Sequence, residues 1–333
     1  MENLKKWIED VISQKSRLAI PIMTHPGIEL IGKTVRETVT SGEVHYQAIK
    51  ALNDTYPAAA CTVIMDLTVE AEAFGAEVNF PEDDIPTVIG RLVSDEESVK
   101  NLQVPDIAAA RVPEYLLANK LASENIKDKP VFSGMIGPYS LAGRLYDMSE
   151  FMMACYCEPE VAEMLLEKCT EFLIKYCKAL KATGADGVVL AEPAAGLMSN
   201  DGCSEFSSKY IKEIVDAVQD DTFIVILHNC GNGGHCTSAT VESGAAAYHF
   251  GNKIDMVEAL KGCPADSLVM GNLDPVTVLQ QASPEEVRNA TMELLKATAE
   301  YLNFIISTGC DVPPHTSPDN IKAFYSAIEE YNK

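Results

Sequence analysis

Short apolar runs alternate with longer amphipathic stretches along most of this chain. The runs fall at residues 18–23, 61–65, 131–136, 187–191, 223–227, 245–250, 267–270 and 304–307, and each has the length of a strand. They read as strands buried on both faces, because parallel strands covered by helices show continuous apolar runs rather than alternation. The stretches between them carry helix signals. Pro159 opens a periodic segment over 160–182 that stops before Gly184, and Ser317-Pro318-Asp319-Asn320 places an N-cap and a first-turn proline ahead of 321–331. A further helix near 4–13 precedes the first strand. Eight strand-helix alternations predict an α/β fold, a (β/α)₈ TIM barrel in a single domain spanning 1–333. The N-terminal helical extension, 1–16, packs outside the barrel or closes its bottom. The competing arrangement is an open doubly wound sheet. It lacks support from a Gly-x-Gly-x-x-Gly opening a helix after an early strand, or from a Gly-x-x-x-x-Gly-Lys-Ser/Thr loop.

Composition narrows the function classes. Hydrophobic residues make up 47% and charged residues 23% of the 333 residues, as in ordinary globular proteins, and the apolar runs are too short to span a bilayer. The segment from Met1 to Trp7 lacks the apolar core of a signal peptide, so a cytoplasmic location is expected. Ten cysteines in a chain this long do not make a disulfide scaffold, and most are expected to be free core thiols. A net charge of −23 argues against nonspecific nucleic-acid binding, which needs clustered lysine and arginine. No membrane partner is expected either.

In a barrel, chemistry lies just past the C-terminal ends of the strands. Those positions hold His25, Asp66, Glu70, Glu72, Glu192, His228, Cys230, His249, Asn272, Asp274, Cys310 and Asp311. The strongest signal is His228-Asn229-Cys230-Gly231 at the end of the fifth run, read with Thr308-Gly309-Cys310 at the end of the last. Residues two apart on an extended backbone point to the same side, so His228 and Cys230 can address one ion. An imidazole and two thiolates suit zinc, and three protein ligands leave a place for substrate. The plainer reading is that these cysteines are small buried hydrophobes. His235 and Cys236 keep two alternatives open: a metal held within 228–236 alone, or a fourth ligand.

The remaining residues carry paired readings. Asp66 and Glu72 orient substrate or approach the metal, or are helix N-terminal acids like Glu70, which is expected to point into solvent. Glu192 is a partner for the second nitrogen of His228 or a rim acid. His249 is a pocket residue or a hydrogen-bonded core histidine, and Asn272 is a pocket residue. His25 has no role fixed by pattern. Gly231-Asn232-Gly233-Gly234 reads as a plain loop before a phosphate cradle or a point of close approach to a bulky ligand. Cys155, Cys157, Cys169 and Cys177 read as helix-packing residues. No Gly-x-Ser-x-Gly nucleophile elbow occurs.

The residues from about Arg17 to the C-terminal helix resemble the uroporphyrinogen decarboxylase superfamily, and more closely its zinc- and corrinoid-dependent methyltransferase branch, which includes methylcobamide:coenzyme M methyltransferases. The resemblance is carried by His25-Pro26-Gly27-Ile28-Glu29-Leu30, by the stretch from Met65 through Asp66, Glu70 and Glu72 to Gly75, by His228-Asn229-Cys230-Gly231, and by Ser307-Thr308-Gly309-Cys310-Asp311-Val312-Pro313-Pro314. It implies a TIM barrel with zinc on His228, Cys230 and Cys310. It also implies a thiol acceptor, such as coenzyme M, that takes a methyl group from a corrinoid on a separate corrinoid protein. The decarboxylase branch fits less well. Its arginine-rich segment after the first strand, which grips tetrapyrrole carboxylates, has no counterpart in residues 22–29. His315 stands where a small residue is more usual. The readings that remain beside methyl transfer are a metal-free decarboxylase and a non-catalytic corrinoid-binding protein.

Overall fold

The computed structural model describes residues 3–63 and 65–333; Ile64, inside the expected second strand, lies outside them. Among the described residues the strands are β1 (Cys61–Thr62), β2 (Glu77–Asn79), β3 (Thr87–Ile89), β4 (Val131–Ile136), β5 (Gly187–Ala191), β6 (Ile224–Asn229), β7 (Ala247–Phe250), β8 (Leu268–Leu273) and β9 (Phe304–Thr308). β1 and β4 through β9 pair in that order as one parallel sheet, while β2 and β3 form a separate antiparallel hairpin. Every residue of β4, β5, β6, β7 and β9 is buried, as strands covered on both faces should be.

The ring closes through the first expected strand, but not as a full strand. Ala19 bridges Ile306 in parallel, Ile306 donates to the Leu18 carbonyl at 3.1 Å, and Ala59 donates to the Ala19 carbonyl at 2.9 Å. Residues around Ala19 thus occupy the eighth place, between β9 and the approach to β1. On the side facing the approach to β1, where Ala19 accepts from Ala59, Pro21 has no backbone N–H with which to continue the pairing. Beyond it the Ile22 amide donates to the Thr308 hydroxyl at 3.1 Å, a side chain standing in for a strand partner. The architecture is a TIM-barrel-like α/β fold.

Strand ends differ from expectation where the site lies. β6 continues two residues past Leu227, so His228 and Asn229 are strand residues, with His228 level with Ala191 on one side and His249 on the other. β8 likewise runs on to Leu273 and includes Asn272. The N-terminal helix, Leu4–Ser13, is capped by Asn3, whose side chain accepts from the Lys6 amide at 2.7 Å. Its stripe of Leu4, Ile8 and Val11 packs with Phe132, Ile226, Met270 and Ile305, closing the bottom of the barrel. The helix Pro159–Ala182 buries Cys169 and Cys177 in its packing face beside Phe172, Leu173 and Tyr176, which accounts for those thiols without a metal. The helix Pro318–Tyr331 begins at the Ser317 cap. Among the described residues no helix is long and apolar enough to cross a membrane.

Candidate metal centre

β6 delivers His228, fully buried, and the turn after it delivers Cys230. Two asparagines shape that turn. The Asn229 side chain accepts from the Asn232 amide at 3.1 Å, and the Asn232 side chain accepts from the amides of Gly234 at 2.8 Å and Cys236 at 3.3 Å. Amides in the glycine-rich segment therefore serve the loop itself, and the plain-loop reading of 231–234 describes them best. Two glycines permit the packing that holds it. A Cβ on Gly231 would sit 2.2 Å from the Pro193 carbonyl, and one on Gly251 would sit 2.7 Å from the Cys230 Cα.

Cys310 arrives from β9 through Gly309, whose amide donates to the Leu273 carbonyl at 2.7 Å. Beyond it, the Asp311 carboxylate accepts from the Thr24 amide at 2.7 Å, and Val312 donates to the Ile22 carbonyl at 3.1 Å. The result brings together residues about eighty apart in sequence: the two sulfurs are 4.0 Å apart. Ligand atoms of His228, Cys230 and Cys310 all lie within 4.8 Å of one another. His228 Nε2 is buried and has no hydrogen-bond partner, the mark of a lone pair reserved for something else. Its Nδ1 lies 2.8 Å from Nδ1 of His249. The shared hydrogen bond with Cys310 holds the Cys230 thiol below its usual range despite burial, and it pushes the Cys310 thiol up. One orphaned imidazole nitrogen facing two adjacent sulfurs is a donor set that fits zinc.

No carboxylate joins this cluster among the described residues. His235 and Cys236 also turn elsewhere: His235 Nε2 lies 3.0 Å from the Met198 carbonyl, and Cys236 is buried with its thiol against Cys203. A metal held within 228–236 alone is therefore not the arrangement formed.

The acids past β1 are arranged differently from expectation. Glu70, expected in solvent, is buried; its Oε1 accepts from the Ile136 amide at 3.0 Å and its Oε2 has no partner. The helix Val69–Ala73 packs against the helix Pro138–Tyr146, so an acid in its first turn meets protein rather than water. Asp66 and Glu72 both pair with Arg111, a residue no sequence pattern singled out. Thr68 and Tyr115 complete the shell, the Thr68 hydroxyl donating to Asp66 at 2.7 Å and the Tyr115 hydroxyl at 3.3 Å. Arg111 also lies 4.6 Å over the Phe80 ring.

Glu192 is not the outer partner of His228. Its carboxylate accepts from the amides of Tyr139 at 3.0 Å and Ser140 at 2.6 Å, at the N-terminus of the helix Pro138–Tyr146, where the macrodipole favours an anion. The outer partner is His249, whose Nε2 lies 2.8 Å from the Ser307 hydroxyl and which burial holds far toward the neutral form. Asn272 donates from its side-chain amide to the carbonyls of Gly251 at 3.0 Å and Ile254 at 2.7 Å, fixing the segment that backs Cys230. His25 is buried at the start of the helix His25–Leu30, in the field of Asp311. His315 takes a left-handed conformation, φ 62°, and its amide donates to Glu29 at 2.7 Å.

Burial pushes the Glu70 carboxyl up from 4.5 to about 7, against the pull of the Ile136 amide. The folded chain then keeps a proton that the unfolded chain releases. This contribution to stability is complete below pH 4.5 and is lost as pH rises through about 7, roughly 3 kcal/mol in all. Glu192, raised to about 7 by the same cause, adds to the slope. Glu70→Gln is expected to shrink the fall in urea midpoint between pH 4.5 and 7.5; an unchanged fall would show that Glu70 does not titrate in this range.

A closed parallel barrel with a histidine and two cysteines converging at the C-terminal ends of its strands defines a TIM-barrel protein with a candidate metal centre. The chain belongs to the uroporphyrinogen decarboxylase (URO-D) family, whose model matches residues 17–331. It is 29% identical to the methylcobamide:CoM methyltransferase MtbA of Methanosarcina mazei over 276 residues, covering 82% of this chain and 80% of that protein. It is 25% identical to the uroporphyrinogen decarboxylase of Coxiella burnetii, covering 83% and 78%. Among solved structures, a methyltransferase from Methanosarcina mazei superposes with a TM-score of 0.89 at 22% identity, covering all of both chains. A B12-independent methionine synthase from Shewanella sp. gives 0.60 at 14% identity over 95% and 97%. These structural likenesses support the fold.

Proposed function

We propose that this chain is a zinc-dependent methyltransferase that moves a methyl group between a corrinoid, carried on a separate corrinoid protein, and a thiol such as coenzyme M. The observation that supports this most is the buried, unpartnered Nε2 of His228 facing the paired thiols of Cys230 and Cys310. Zinc held by these three residues would supply the positive charge that keeps an acceptor thiol deprotonated near neutral pH, where a free thiol of pKa about 8.5 is mostly protonated. Three protein ligands would leave the fourth position of a tetrahedral zinc for that acceptor. The residues around them hold the geometry. Asn272 and Gly251 fix the backbone behind Cys230, and the Asp311 carboxylate clamps the Cys310 turn to Thr24. Asp66 and Glu72, which share the Arg111 guanidinium, serve as a wall of the mouth, with His25 and Glu192 as further framing residues. Holding the acceptor sulfur in line with the methyl carbon would supply much of the rate. The reducing cytoplasm, where the paired thiols stay reduced, is the fitting compartment.

The decarboxylase reading gains nothing from the structure's arginines near the first strand. Arg17 donates to the carbonyls of Tyr301, Thr298 and Ala299, at the N-terminal approach to β9 and therefore at the opposite end of the barrel.

The test is anaerobic methyl transfer from methylcobalamin to a panel of thiols, followed by the change in cobalamin absorbance. Zinc-loaded protein is expected to transfer, and chelated protein to stop until zinc is restored. Equal transfer after chelation would defeat the zinc requirement, corrinoid binding without transfer would favour the non-catalytic corrinoid-binding protein, and turnover of uroporphyrinogen by chelated protein would favour the decarboxylase.

A further inference from the structure

We infer that His249 and Ser307 are positioning residues that fix which nitrogen of His228 is bare, and that the order of protons begins at the Ile20 carbonyl. The Ser307 hydroxyl lies 2.7 Å from the Ile20 carbonyl and 3.2 Å from the Thr308 carbonyl. A carbonyl only accepts, so the single hydroxyl proton of Ser307 points to one of these two oxygens. Ser307 is then left as acceptor toward His249, 2.8 Å from its Nε2, and that nitrogen must carry a proton. A neutral imidazole has one N–H, so Nδ1 of His249 is bare and accepts from Nδ1 of His228 at 2.8 Å. The proton of His228 is thereby placed on Nδ1, and Nε2 is left as a lone pair. That is the nitrogen with no protein partner, beside the two thiols.

The reverse order fails at both ends. It would set the Ser307 lone pairs against the Ile20 carbonyl at 2.7 Å. It would also put a proton on His228 Nε2, where no oxygen or nitrogen accepts it and only the cysteine sulfurs, weak acceptors, stand nearby. The residues come from the Ala19 segment and the adjacent β9, and from the adjacent β7 and β6, with the Ser307–His249 contact passing over β8. The registers set the two histidines level on adjacent strands. The consequence rests on the zinc reading above. A histidine whose tautomer is fixed in advance binds metal without rearranging, and a hydrogen-bonded Nδ1–H makes Nε2 a stronger donor. The proton order itself needs no metal.

Long-range proton–nitrogen NMR correlations of the metal-free protein read both tautomers directly. His228 is expected as the Nδ1–H form and His249 as the Nε2–H form. Ser307→Ala is expected to mix the His228 tautomers and raise the zinc Kd by about 10–100-fold, and His249→Leu to do at least as much. His249→Gln carries an oxygen to accept from His228 and an amide to donate to Ser307, and should bring the zinc Kd back to within about threefold of wild type. A wild-type His228 protonated on Nε2 would overturn the inference, as would a folded Ser307→Ala with wild-type zinc Kd. A wild type that takes up no zinc would defeat the metal reading instead, while the spectra still decide the proton order.

Discussion

Cys310→Ala is expected to abolish zinc retention and methyl transfer together while leaving the barrel folded. The sulfur is one of three donors within 4.8 Å, and its loss leaves a histidine and one thiol, too few to hold zinc against competing chelators. The fall in affinity should exceed the 10–100-fold that loss of an outer partner costs. Cys310 sits at a half-buried turn, and alanine keeps its Cβ, so little core packing is lost. Metal analysis after dialysis should find about one zinc per chain in wild type and almost none in the variant, with an unchanged circular dichroism spectrum. Full zinc content in the variant would remove Cys310 from the site and leave the cluster's convergence without a role.

The second large effect concerns stability. Arg111→Leu is expected to cost about 3–5 kcal/mol, because it strips the cation that, among the described residues, alone pairs with Asp66, whose side chain is 1% exposed, and with Glu72. Against a total stability of about 5–15 kcal/mol for a typical domain, that is a large fraction. The cost arises from the stranded acids more than from the lost contact. Asp66→Asn in the Arg111→Leu background should therefore recover part of it, so the two substitutions cost less together than separately. Zinc content should not change, since neither residue offers a ligand to the cluster. Urea unfolding of the two single variants and the double variant measures this. Strict additivity, or an Arg111→Leu protein as stable as wild type, would show that the pair does not carry the burial of Asp66.

The legible parts of this protein were those set by local spacing. The two-residue spacing of His228 and Cys230 and the place of Cys310 after another strand-length run pointed to their convergence, although Cys230 reaches the cluster from the turn after β6 rather than from extended chain. The helix Pro159–Ala182 and its buried cysteines follow from periodicity and a first-turn proline. The ends of strands were less accessible. Nothing local stops β6 at Leu227, and pairing with β5 and β7 carries it on through His228. The run 18–23 was likewise read as a full strand, and it forms a single bridge with β9.

Pairings set by fold register left no trace in the sequence. Arg111 lies 45 residues from Asp66 and 39 from Glu72, with no pattern to link them. His249 partners His228 only because β6 and β7 align them, which is why Glu192 was the plausible outer partner beforehand. Glu70 illustrates a different limit. An acid in the first turn of a helix reads the same whether that turn faces water or another helix, and here it faces the helix Pro138–Tyr146.

The central claim is that His228, Cys230 and Cys310 hold one zinc ion open to a thiol. X-ray absorption at the zinc edge tests it most directly. The expected resting spectrum shows two sulfurs at about 2.3 Å and at least one nitrogen at about 2.0–2.1 Å, and a third sulfur after a thiol acceptor is added. A resting shell of nitrogen and oxygen alone, or a sulfur count that the acceptor leaves unchanged, would contradict it.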